Sequence, residues 1–136
     1  MPHFLDTNIL LYSISSDPTE IAKRDRAVAL LDQDDGALSV QVLQEFYVQA
    51  TRPTRPGRLP HQLAVELIDS WRRFQVQEIT LSIFDSALRI KASHRLSFWD
   101  SAIISAAGAL GCRRLYSEDI SHGREIEGVR IVNPFR

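Results

Sequence analysis

The sequence predicts an α/β fold, a three-layer sandwich in which helices cover both faces of a five-stranded parallel sheet. Two patterns point there. Short apolar runs alternate with longer segments of helical period, and strands joined through helices pair in parallel. The chain has 136 residues, 44% hydrophobic and 24% charged, enough for one hydrophobic core and the balance of a globular protein. Residues 1–136 are therefore expected to form a single domain.

The elements follow in order. Residues 3–6, His-Phe-Leu-Asp, read as a short buried strand stopping at Asp6, and Thr7–Ile14 continues with helical spacing. Asp17-Pro18-Thr19-Glu20 opens a helix, with a cap, a proline at the first position and a carboxylate at the third. That helix runs to about Leu31 and places Ile21, Val28 and Leu31 on one face. Asp34-Asp35-Gly36 is a turn before a strand over Ala37–Val40. Val42, Leu43, Phe46, Tyr47 and Ala50 share an arc of a helix over Gln41–Ala50. Thr51–Pro60 holds three prolines and a glycine and must be loop. Leu63, Leu67, Ile68, Trp71 and Phe74 mark an amphipathic helix, and Val76–Thr80 a third strand. Ser82 with Asp85 reads as a capping box for a helix through His94. Ser97 with Asp100 repeats that spacing for Phe98–Leu110, ended by Gly111. Arg113–Ser117 and Val129–Val132 supply the last two strands.

Composition removes several classes. A single cysteine, Cys112, excludes an internal disulfide framework and a multi-cysteine zinc site; it is expected to be a buried, inert thiol. No apolar run approaches the ~20 residues of a membrane helix, and the early polar Asp6 leaves no signal-peptide core, so the expected location is the cytoplasm. The net charge is −1, so a nucleic-acid partner would need a local basic patch. Only Lys23 and Lys91 are lysines among 16 basic residues. Arginine's planar fork suits phosphate, and GC-rich coding would produce the same bias.

In parallel sheets ligands sit outside the carboxyl ends of the strands, and Asp6 and Asp119 fall just past such ends. Asp100 lies in a helical first turn, and Glu45 borders an apolar helical arc. Each also has a plain reading: Asp6 as a helix cap, Asp100 as the third residue of its capping box, Asp119 as a turn cap, Glu45 as a solvated helix residue. Asp85 shares the Ser-x-x-Asp context and is expected only to cap. Carboxylates meeting in one pocket repel unless protons or a cation intervene. Oxygen donors without Cys or paired His favour Mg²⁺ or Mn²⁺, which can activate water against a phosphodiester.

Phe-Leu-Asp6-Thr7-Asn8-Ile-Leu, Glu45 in its helix, Phe-Trp-Asp100-Ser-Ala-Ile-Ile-Ser-Ala-Ala and Leu-Tyr-Ser117-Glu118-Asp119 together resemble the PIN-domain ribonucleases. More narrowly, the chain resembles the VapC-type toxins of bacterial toxin–antitoxin pairs, over nearly its whole length. The resemblance implies a PIN-like sandwich and a Mg²⁺- or Mn²⁺-dependent endoribonuclease acting through metal-activated water. It implies catalytic roles for Asp6, Glu45, Asp100 and Asp119, with Asp6, Asp100 and Asp119 as metal ligands and Asn8 and Ser117 in support. A VapB-type antitoxin and a homodimer are implied partners. Adjacent extended residues point oppositely, so of Glu118 and Asp119 only one should face the pocket. The Ser-x-Asp spacing favours Asp119, leaving Glu118 a solvated neighbour.

Arg52, Arg55 and Arg58 lie in an acid-free window, a candidate RNA-binding rim; they also read as a helix-end charge and solvated loop residues. Arg72/Arg73 and Arg113/Arg114 are weaker candidates. Trp71, with Leu63 and Leu67, could line an interface, though core packing is favoured. Trp99 could stack on a base, though closing the core over the Asp100 helix is favoured. The four histidines lack metal-ligand spacing. A receiver domain would need a lysine at a later strand end, where neither Lys23 nor Lys91 falls. An aspartate-nucleophile phosphatase would need Asp where Asn8 stands. A catalytically silent PIN-like binding module is the alternative of another class; it gives no reason to keep four acids together.

Overall fold

The computed structural model describes residues 2–136. Among them lie six strands, β1 (His3–Leu5), β2 (Gly36–Ser39), β3 (Gln75–Gln77), β4 (Arg114–Tyr116), β5 (Glu125–Ile126) and β6 (Val129–Val132). Six helices accompany them: α1 (Thr7–Ser13), α2 (Ile21–Leu31), α3 (Val40–Ala50), α4 (His61–Trp71), α5 (Leu81–His94) and α6 (Phe98–Ala109). The sheet order is β3-β2-β1-β4-β6-β5. The first five strands of that order are parallel, with His3 beside both Gly36 and Arg114. The predicted parallel sheet is thus present, flanked by helices.

The sixth strand was not expected. Glu125–Ile126 pairs antiparallel with Val129–Arg130, across a two-residue turn in which Glu127 and Gly128 both have positive φ. Such turns match the twist of paired strands and favour glycine. Glu-Gly between two apolar residues was the available signal.

The buried side chains explain why these segments settle here. Phe4, Leu5, Leu38, Leu115 and Ile131 fill the sheet interior, with Ile9, Leu10, Phe46 and Ile104 against it from α1, α3 and α6. Residues 101–107 of α6 are buried without a break, as expected for a small-residue helix pressed on a sheet. Trp71 is core rather than interface: it is buried and meets Phe46 edge-on, ring centres 4.7 Å apart. Gly36 permits close packing, since a β-carbon there would stand 2.9 Å from the Phe74 ring.

Local details depart from expectation for physical reasons. Ser82 does not cap α5; Thr80 does, its side chain accepting from the Ile83 backbone N–H. Thr80 therefore ends the preceding segment, and β3 stops at Gln77 rather than running to residue 80. Asp17 caps a single 3₁₀ turn, Pro18–Glu20, from which α2 departs. The buried face of α2 is Ala27, Leu30 and Leu31, while Ile21 and Val28 are exposed. Cys112 is buried, and desolvation pushes its thiol up to about 11. Among the described residues no helix is long and apolar enough to cross a membrane.

Candidate active site

The chain leaves β1 toward β2 and β3 on one side, and later returns through β4 to β6 on the other. The β1/β4 boundary is therefore a topological switch point, where flanking connections diverge and open a crevice at the strand ends. Asp6 follows β1 and Ser117 follows β4, and Leu5 and Tyr116 are register partners. Asp6, Glu45, Asp100 and Asp119 all line one cleft of about 320 Å³ at this boundary. Asn8 and Arg55 line it as well.

Asp6 is both cap and cleft residue, so its two readings do not compete. Its Oδ1 accepts from the Thr7 backbone N–H at 2.7 Å, capping α1, and its Oδ2 accepts from the Ser117 hydroxyl at 2.7 Å. Burial raises its pKa from 3.8 to about 6; those two hydrogen bonds oppose the shift, and the charges of Glu45 and Asp119 add to it. Asp100 is also raised, by desolvation first, with Asp119 adding repulsion against the lowering effect of Ser97. Ser97 caps α6 and accepts from the Asp100 backbone N–H at 3.0 Å.

Ser117, fully buried, is the hub of the strand-end turn. Besides donating to Asp6, its hydroxyl oxygen accepts from the backbone N–H groups of Asp119 and Ile120 at 3.2 and 3.3 Å. Asn8 spans the same gap: its Nδ2 donates to Asp119 Oδ2 at 3.1 Å, and its Oδ1 accepts from the Glu118 backbone N–H at 3.4 Å. Glu45 is held by the Thr7 hydroxyl at 3.1 Å and by Gln41 Nε2 at 3.4 Å. Thr7 and Gln41 were missed by sequence reading. Gln41 stands one helical turn before Glu45, a spacing that brings side chains together; Thr7 gave no signal.

Glu118 lies at the cleft but is not a solvated neighbour. It forms an ion pair with Lys23 and accepts from the Tyr12 hydroxyl. Burial would raise its pKa, but those partners outweigh burial and lower it. Its charge is thereby matched by a cation, whereas Asp119 faces Asn8. Lys23 and Glu118 are 95 residues apart, and no sequence pattern announces such a pair.

Of the three arginines in the 51–60 loop, Arg55 reaches the cleft; Arg52 and Arg58 do not line it and are exposed. The loop is closed by Leu59 N–H donating to the Ala50 carbonyl at 2.8 Å. It turns at Gly57, φ +69, where a β-carbon would fall 2.5 Å from the Ser16 hydroxyl. Trp99 contradicts the favoured core-closing reading: it is 65% exposed and stands at the cleft rim. Burial of α6 begins only at Ser101, so Trp99 precedes the buried face.

The donor set is all oxygen, and no histidine or cysteine lines the cleft. That chemistry fits a hard divalent cation such as Mg²⁺ or Mn²⁺. The carboxylates are nonetheless spread along the cleft: among the described residues no three His, Cys, Asp or Glu side chains are grouped closely enough to hold an ion as they stand. Asp6, Glu45 and Asp119 instead take hydrogen bonds from Ser117, Thr7 and Asn8.

The PIN domain family model matches residues 3–124. No curated protein matches the chain by sequence. Solved structures share the fold at low identity. A toxin–antitoxin complex from Klebsiella pneumoniae is 19% identical, with a TM-score of 0.72 over 97% of each chain. A sarcin–ricin-loop-cleaving VapC toxin of Mycobacterium tuberculosis is 20% identical, with a TM-score of 0.67 over 85% of this chain and 88% of its own. VapBC-1 of nontypeable Haemophilus influenzae is 19% identical, with a TM-score of 0.65 over 100% of both chains.

Proposed function

Since the chain belongs to the PIN-domain family, we propose that it is a divalent-metal-dependent endoribonuclease, the toxin of a type II toxin–antitoxin pair. One observation carries the reading. Four carboxylates from separate stretches, Asp6, Glu45, Asp100 and Asp119, line one cleft at the switch point of the sheet. Asp6 is destabilised there as an anion, by burial and then by its acidic neighbours. A cleft that disfavours its own negative charge is suited to a cation.

Asp6, Asp100 and Asp119 would hold Mg²⁺ or Mn²⁺, with Glu45 completing the acidic cluster. When bound, the ion offsets charge on the scissile phosphate and makes water a better nucleophile. The protein's own part is positional. Ser117 and the Thr7 N–H fix both oxygens of Asp6, Asn8 fixes Asp119, and Thr7 with Gln41 fixes Glu45. Fixed carboxylates cost little reorganisation during reaction. Arg55 brings a cation to the cleft as a phosphate contact. Residues 1–136 act as one domain in this reading, which works as a homodimer and is restrained by a VapB-type antitoxin.

The test is cleavage of RNA by purified protein with Mg²⁺, with Mn²⁺ and with EDTA, beside Asp100→Asn. The expected result is divalent-dependent internal cleavage leaving 5′-phosphate and 3′-hydroxyl ends, lost in a folded Asp100→Asn variant. Full activity in that variant overturns the mechanism, and no cleavage with either metal favours a silent binding module. Co-purification with a small neighbouring-gene product, and elution as a dimer, check the partners.

A further inference from the structure

Trp99 has a setting that neither folding nor the acid cluster accounts for. A tryptophan offers a large apolar surface whose burial stabilises a fold, yet this one stays 65% exposed immediately before Asp100. It is not loosely placed. Its backbone carbonyl accepts from Gln41 Nε2 at 3.3 Å, and Phe98 props the indole at an interplanar angle of 81° with ring centres 5.1 Å apart. Phe84 stands behind Phe98, ring centres 5.7 Å apart.

The acid cleft has two unlike ends. At one it shares Glu20 and Arg55 with a second depression that includes Ser15, Asp17 and Pro18. At the other it shares Gln41 and Trp99 with a small depression of about 90 Å³ walled by Ile79, Phe84 and Phe98. Charged side chains, Arg55 with Glu20 and Asp17, thus lie toward one end and an aromatic, apolar wall at the other. A nucleotide strand offers flat apolar bases that match such a wall.

The geometry points to a nucleobase subsite formed by Trp99 and the apolar depression beside it, which takes one unpaired base next to the phosphate held over the acids. The inference rests on the ribonuclease reading and deepens it by assigning a base-contacting residue to that site. Trp99 and Asp100 line the same cleft, so a base on the indole lies beside the phosphate over the acids. Exposure leaves an indole face open to stack, and stacking requires a base released from its duplex neighbours. Gln44 adds an exposed amide at the rim of the depression. Trp99 is on this account a positioning residue for substrate.

Tryptophan emission tests the proposal directly. The chain has two tryptophans, and Trp71 is buried against Phe46, so a change on binding reports Trp99. Eight-nucleotide A and U single strands, titrated in EDTA to prevent turnover, should quench the wild-type emission. Trp99→Phe should bind within about threefold of wild type and show no quenching. Trp99→Ala should bind about tenfold to a hundredfold more weakly, with KM raised and kcat within a few-fold in the Mg²⁺ assay. Pairing the octamers with their complements should remove the quenching. Binding without quenching, equal affinity of Trp99→Ala, or equal quenching by duplex would each overturn the subsite while divalent-dependent cleavage leaves the nuclease standing. A wild-type dimer that Trp99→Ala converts to monomer reassigns the patch to a protein interface and also overturns it. Wild-type protein that neither binds nor cuts RNA overturns both readings.

Discussion

Replacing Asp6 by Asn isolates the main electrostatic cost in the cleft. Asn is the nearest isostere, is itself a good helix cap, and keeps an oxygen for the Thr7 N–H. A carboxyl raised from 3.8 to about 6 has its charged form disfavoured by about 3 kcal/mol, at ~1.4 kcal/mol per pH unit. The sign follows from proton uptake: between those values the folded chain binds more protons than the unfolded one. Stability associated with Asp6 is therefore present at low pH and lost as pH rises through about 6. In EDTA, urea unfolding should show Asp6→Asn gaining on wild type by about 2–3 kcal/mol between about pH 4 and pH 7.5. Millimolar Mg²⁺ should reverse the order, because an ion held by the native acids stabilises wild type by mass action. A difference that is the same at both pH values would refute the reasoning, since a lost hydrogen bond alone carries no such pH slope.

Three further outcomes follow from the geometry. Asp119→Asn should abolish divalent-dependent cleavage, whereas Glu118→Gln, at a carboxylate already matched by Lys23, should retain it within about tenfold; the opposite pattern in an RNA cleavage assay reverses their assignment. Arg55→Ala should weaken single-stranded RNA binding and reduce the slope of log affinity against log salt by about 0.7. Arg52→Ala should leave that slope unchanged, because Arg52 lies outside the cleft. Thr80→Ala should cost about 1 kcal/mol in urea unfolding by removing the α5 cap, while Ser82→Ala should stay within ~0.5 kcal/mol.

The boundaries of α3 and α6 were legible because their signals are local. Val42, Phe46 and Ala50 repeat at helical spacing, and Ser97 with Asp100 forms a cap within four residues. The α5 start shows where local reading fails. Thr80 and Ser82 are both competent caps, and the one used depends on where β3 must stop to pair with β2. The same limit applies to α2, where Ile21, Val28 and Leu31 have helical spacing, yet packing buries Ala27, Leu30 and Leu31.

By itself the sequence determined the five parallel strands, the helices between them and the acids Asp6, Asp100 and Asp119 near element ends, because backbone periodicity and caps act over a few residues. Only the tertiary structure decided which of those polar groups meet. It brought Lys23 to Glu118, Ser117 to Asp6 and Asn8 to Asp119, left Arg55 at the cleft without Arg52 and Arg58, and kept Trp99 in solvent. Those outcomes depend on contacts between residues distant in the chain. Their energies fall off within a few ångströms, so they are set only once the sheet order has placed each strand end.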